Sequence, residues 1–118
     1  MLSVPAQALA DELCETSCPV AKTARLIEGK WTTLILRDLL SGKKRYSELQ
    51  RSLSGISPKV LSARLKFLQD EGLITKTIYP VVPPHTEYQC TARGEKLQRV
   101  IAAMADFGSS LKTSAPRI

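Results

Sequence analysis

The sequence predicts a mostly α-helical domain carrying one small β-hairpin. Apolar residues recur at three- and four-residue spacing through most of the chain. One segment, LITKTIY, switches to strict alternation. A proline-rich run, PVVPPH, then separates it from a second short alternating stretch, TEYQC. The 118 residues fit one domain, long enough to bury a hydrophobic core.

Residues 1–17 are weakly patterned and read as an N-terminal arm, with a short helix allowed from Ala6 to Leu13 that packs on a partner. CPVAKTARLIEG is a clearer helix. Cys18 sits at its cap, Pro19 suits the first helical position, Gly29 stops it, and Val20, Ala24 and Ile27 share one face. KWTTLILRDLLSG follows, with an apolar face of Trp31, Leu34, Ile35, Leu39 and Leu40 and an end at Gly42. KKRY is short and extended.

Ser47 is expected to cap SELQRSL, whose Leu49 and Leu53 face inward and whose Glu48 lies in the first turn, where negative charge is favoured. After the turn SGIS, Ser57 caps a helix with Pro58 at its first position, a seam of Leu61, Leu65 and Leu68, and a stop at Gly72. The hairpin comes next. Thr91 then caps a final helix in which Leu97, Val100, Ile101, Met104 and Leu111 follow a helical repeat.

The order is helix, helix, short strand, helix, helix, hairpin, helix. Two short helices around a glycine-containing turn, followed by a hairpin, describe a winged helix-turn-helix. It is assigned to residues 18–90, and residues 91–118 to a C-terminal dimerisation helix and tail. The last helix bears a longer apolar stripe than one small domain needs to cover itself. A two-fold dimer formed by the terminal helices would bury it; the alternative is packing on its own domain.

The chain carries seventeen Lys and Arg against eleven Asp and Glu, a net charge of +6. The excess is local: ten basic residues (25, 30, 37, 43, 44, 45, 51, 59, 64, 66) face three acids (28, 38, 48) between Arg25 and Lys66. A basic middle suits a polyanionic partner, though a merely basic surface gives the same count. No apolar run approaches the roughly 20 residues of a membrane span. The N-terminus lacks the basic start and long apolar centre of a signal peptide, so the chain is expected in the cytoplasm with Cys14, Cys18 and Cys90 reduced at rest.

On a wheel of about 100° per residue, Lys59, Ala63 and Lys66 lie opposite the leucine seam, with Ser62 beside them. Arg64 and Val60 flank the seam. A face of this kind, with small residues among long basic ones, can enter the major groove, where Lys and Arg reach guanine edges or phosphates. The proline-stiffened turn loses little entropy on docking, and Lys76 and His85 place polar or positive groups beside it. The bland reading is a solvated amphipathic helix next to an ordinary hairpin.

The stretch from Cys18 to about residue 108 closely resembles the HxlR-type transcriptional regulators, bacterial winged helix-turn-helix proteins related to the MarR type. The marks that carry this are CPV, GKWT, RYSEL, GISPKVLSARLK, EGLI, YPVVPPHTEY and TARGEKL, which are specific in combination. The resemblance implies a homodimeric, sequence-specific regulator of double-stranded operator DNA, usually a repressor, whose termini build the dimer and whose helix Ser57–Glu71 reads the operator. It also implies, for some members, sensing of oxidants or electrophiles through the cysteine matching Cys18; other members have no known effector, and no small molecule is singled out for this chain.

On this reading Lys59, Ser62, Ala63 and Lys66 face base edges, and Ser57 and Arg64 hold phosphates or the helix end. Lys43, Lys44 and Arg45 grip flanking backbone, while Lys76 and His85 serve the wing. Cys18 lies at a helix start, where free N–H groups favour a thiolate; Cys14, four residues earlier, is a candidate to resolve an oxidised Cys18, with pairing across subunits equally open. A purely structural Cys18 is the competing reading. Cys90 is expected as a small buried residue.

No cofactor and no metal are expected, nor an enzyme. Cys18 with His85 as nucleophile and base, a metal-responsive regulator using Cys14, Cys18, His85 and Cys90, and a winged-helix protein-interaction module are the alternatives.

Overall fold

The computed structural model describes residues 18–111. The N-terminal arm with Cys14, and the tail beyond Leu111, lie outside the described residues. Helix α1 spans Pro19–Ile27, α2 Lys30–Leu40 and α3 Tyr46–Ser52. Helix α4 spans Pro58–Asp70, α5 Ala92–Glu95 and α6 Gln98–Ser110. The strands are β1 (Lys44–Arg45), β2 (Ile74–Tyr79) and β3 (His85–Cys90), in the antiparallel order β1-β3-β2. This is a winged helix-turn-helix: α3 and α4 around the turn, then the β2–β3 hairpin as the wing.

One core holds these elements together. Ile35, Leu36 and Leu39 of α2 meet Leu49 and Leu53 of α3, Leu61, Leu65 and Leu68 of α4, and Leu73, Ile74, Tyr88 and Cys90 of the hairpin. Each fully buried leucine contributes about 1.5–3 kcal/mol relative to exposure, so the α4 seam is a major tether of that helix. Leu36 is wholly buried although the expected face of α2 omitted it, whereas Trp31, Leu34 and Leu40 are only partly covered. Cys90 is buried, as expected.

Helix α4 starts as its sequence predicts. The Ser57 hydroxyl accepts from the Val60 N–H at 3.1 Å, and Pro58 follows it. It ends at Gly72, whose φ of +74° lets the chain reverse while the Leu73 N–H returns to the Leu68 carbonyl.

Helix α3 departs from expectation. Its cap is Arg45, not Ser47, because β1 delivers Arg45 in an extended conformation directly to the helix start. The Glu48 carboxylate then accepts from the Arg45 N–H at 2.8 Å and takes the capping role assigned to the serine.

The expected single last helix is two. Thr91 caps only α5: its hydroxyl donates to the Gly72 carbonyl at 2.7 Å and accepts from the Gly94 N–H at 3.0 Å. That bond pair pins the first turn to the end of α4. The chain bends at Leu97, which enters the core, and α6 departs from there.

The strands run from Ile74 and from His85, each one residue away from the predicted start, and pair in the register Ile74↔Cys90 to Tyr79↔His85. Between them the Val82–Pro83 bond is cis. The KKRY segment does more than extend: Lys44 and Arg45 pair with Tyr88 and Glu87.

Candidate nucleic-acid interface

The leucine seam decides which way α4 faces. With Leu61, Leu65 and Leu68 at most 1% exposed, Lys59, Ser62, Ala63, Arg64 and Lys66 all lie on the solvent side. The helix is 13 residues, about 20 Å long, and its side-chain diameter of about 10–12 Å matches a major groove about 12 Å wide. Lys66 pairs with Asp70 one turn on, 3.3 Å away. Both partners are exposed, so the pair is weak and readily exchanged for a phosphate or base edge.

Two further groups of predicted residues lie outside α4, one at Lys43–Arg45 and one on the wing. Lys43 projects toward Glu87, with Nζ 3.6 Å from Oε1. Lys44 is half-buried, and its Nζ donates to the Ser41 hydroxyl at 3.0 Å and the Gly42 carbonyl at 3.4 Å. Arg45 is exposed. On the wing, Lys76 is exposed on β2, while His85 stacks on Tyr79 with ring centroids 4.7 Å apart and brings Nε2 to 3.5 Å from Glu87 Oε2.

Two residues near this surface escaped the sequence reading. Glu87 sits at the centre of the wing base with a side chain only 18% exposed; its Oε1 has the Lys43 ammonium as an ion-pair neighbour yet no hydrogen bond. Tyr46 reaches across to α4, with Oη 3.3 Å from the Pro58 carbonyl and 3.2 Å from Ser62 Oγ. A search for cations passes over a carboxylate, and a tyrosine sixteen residues from its partner has no local signal. The wing tip is also more apolar than expected, with Val82 98% exposed.

Cys18 holds the N-cap position of α1, and its carbonyl accepts from the Lys22 N–H at 3.0 Å. Cys90 and His85 stand at opposite ends of β3, about 17 Å apart along the strand, so one ion cannot take both. Burial pushes the Cys90 thiol up, helped by the Glu95 charge. Among the described residues, no helix is long and apolar enough to cross a membrane.

Helices α1 and α6 carry no fully buried residue. They line a shallow apolar trough instead: Pro19, Val20, Ala24 and Ile27 meet Val100, and the trough continues past Met104 and Phe107 to Leu111.

A winged helix-turn-helix with a basic, solvent-facing second helix defines the class of DNA-binding transcriptional regulators. The chain belongs to the HxlR-like helix-turn-helix family, whose model matches residues 26–115. It is 42% identical over 105 residues to the uncharacterised HTH-type transcriptional regulator sll1512 of Synechocystis sp., covering 87% of this chain and 78% of the relative. Among solved structures it is similar to a protein from Porphyromonas gingivalis W83 described as a MarR-family transcriptional regulator. That match has 45% identity and a TM-score of 0.79, and covers 81% of this chain and 94% of the other. It is also similar to the redox regulator HypR in its oxidised form, with 32% identity and a TM-score of 0.77, covering 81% and 99% of the two chains.

Proposed function

We propose that the chain is a homodimeric repressor that reads operator DNA with α4 and responds to oxidants through Cys18. The observation that carries the DNA reading is the opposition on α4 of three buried leucines and an exposed face of Lys59, Ser62, Ala63 and Lys66. Lys43, Lys44, Arg45, Ser57 and Arg64 serve phosphates, and Lys76 and His85 the wing. The Ser41 and Gly42 contacts hold Lys44 in place for such a role.

The trough on α1 and α6 supports the dimer. A second copy covers Val20, Phe107 and Leu111, which are 76%, 68% and 54% exposed, and sets two α4 helices about 34 Å apart, one duplex turn. Phe107→Glu places a charge in that seam. Sedimentation of the wild type as a dimer and of the variant as a monomer is the expected outcome, and a monomeric wild type rejects this arrangement.

Operator reading is tested by selection from a random duplex pool, followed by titration against specific and random DNA. Lys59→Ala lowers specific affinity far more than random affinity; Lys44→Ala lowers both alike. Equal ratios for the two variants would remove the division of roles.

The sensing reading rests on the placement of Cys18 at the start of α1, the helix that borders the trough, and on the likeness to HypR. Diamide weakens operator binding by the wild type and leaves Cys18→Ser unaffected. Unchanged wild-type binding under diamide rules sensing out.

A further inference from the structure

We infer that Tyr46 locks the Ser62 hydroxyl into an acceptor-only role toward DNA, so that the base beneath Ser62 must carry an exocyclic amino group: adenine or cytosine. The inference rests on the proposed entry of α4 into the major groove and adds to it the sign of one base contact.

The argument is a count of protons. Tyr46 Oη lies 3.3 Å from the Pro58 carbonyl oxygen and 3.2 Å from Ser62 Oγ. A carbonyl oxygen has lone pairs and no proton, so only Tyr46 can donate in the first contact. Tyr46 has one proton, and it is thereby committed. The second contact is then a hydrogen bond only when Ser62 donates to the Tyr46 oxygen. The reverse wiring, Tyr46 to Ser62, forfeits the bond to the Pro58 carbonyl.

Ser62 also has one proton, and this wiring turns it inward. Its outward side, on the exposed face beside Lys59, Ala63 and Lys66, presents lone pairs alone. A free serine hydroxyl rotates to serve donors and acceptors equally and so discriminates little. A locked one does not. In the major groove adenine offers N6–H and cytosine N4–H as donors, whereas guanine offers O6 and N7 and thymine O4 and a methyl group. The locked Ser62 bonds to the first pair and repels the acceptors of the second. Tyr46 is therefore a positioning residue, and Ser62 a specificity residue of defined sign.

Wild type, Tyr46→Phe and Ser62→Ala are each used to select duplexes from a random pool, and thermal unfolding checks each fold. Ser62 is exposed, so its truncation keeps the fold whatever Tyr46→Phe does. The wild-type profile should hold one position restricted to adenine or cytosine. Tyr46→Phe keeps the ring and frees the Ser62 proton, so guanine and thymine enter at that position alone and discrimination there falls about two- to tenfold. Ser62→Ala produces the same relaxation, and the double variant adds nothing. On the wild-type site, replacing adenine by purine, which lacks the amino group, weakens the wild type and not Ser62→Ala.

A Tyr46→Phe variant that binds every sequence more weakly with an unchanged profile makes the tyrosine a brace and overturns the inference. So does a Ser62-dependent position that accepts guanine or thymine. A wild type that enriches no sequence fails differently, because it removes operator reading itself.

Discussion

Lys43 and Glu87 face each other across the wing base, with Nζ 3.6 Å from Oε1, and the second oxygen of the same carboxylate meets His85 at 3.5 Å. Arg45 is the cross-strand partner of Glu87. One carboxylate thus sits among three groups of the proposed interface, and on that reading its negative charge opposes indiscriminate binding. Glu87→Gln frees Lys43 to act as a full counterion. Binding to random DNA should strengthen, and the slope of log affinity against log salt should steepen by up to about 0.9, one further phosphate neutralised. Fluorescence anisotropy between 50 and 200 mM salt, the range over which such slopes are commonly compared, checks this. An unaltered slope means that the carboxylate does not restrain Lys43.

The two sides of α4 predict opposite failures. Leu65 is 1% exposed, and Leu65→Ala should cost about 2–5 kcal/mol of stability, read as a lower urea midpoint. Ala63 lies on the exposed side, so Ala63→Glu should leave the midpoint within about 0.5 kcal/mol of wild type while abolishing DNA binding. A variant pair that loses stability equally would contradict the orientation of the helix.

Gly94 of α5 packs directly against the chain leading into β2. A Cβ there would run into the Leu73 carbonyl, which is backbone and cannot swing aside. Gly94→Ala should therefore destabilise the fold by about 1–3 kcal/mol, whereas Gly108→Ala, with open space around it, should not. Differential scanning calorimetry of both variants makes the comparison.

Alkali should weaken the fold through two buried protons. Burial raises the Cys90 thiol, with Glu95 adding to it, and burial raises the Tyr88 phenol, with Tyr46 adding to it. Between the ordinary and the raised values the folded state keeps protons that the unfolded chain has released, so stability falls as pH rises above about 9. Urea midpoints at pH 8 and pH 10 should show the loss, and Cys90→Ala should flatten it.

Local rules made much of this fold readable before any coordinates. The Leu61, Leu65 and Leu68 seam follows from helical period, Ser57 and Pro58 from capping chemistry, and Gly72 from the reversal it permits. The positions that escaped depend on contacts between distant segments. Ser47 looked like a cap because serine usually is one, but the strand pairing of Lys44 and Arg45 moved the helix start and gave the task to Glu48. The last helix divides before Gln98, and the first of its two parts is tied by Thr91 to Gly72, nineteen residues earlier. At the candidate interface, counting cations located the exposed face but not the groups that orient it. Tyr46 meets Ser62 on α4 and Glu87 meets Lys43 just ahead of β1, and neither pairing follows from spacing within one helix or strand.

The strand order β1-β3-β2 has a mechanical result. β3 lies between the wing's outer strand and β1, and β1 passes without a break into α3, whose first residue touches α4. Hairpin and α4 are therefore jaws of a single calliper, set at one opening. On the proposed reading, a duplex gripped by both would have to match that offset, so twist and groove width would count alongside base identity.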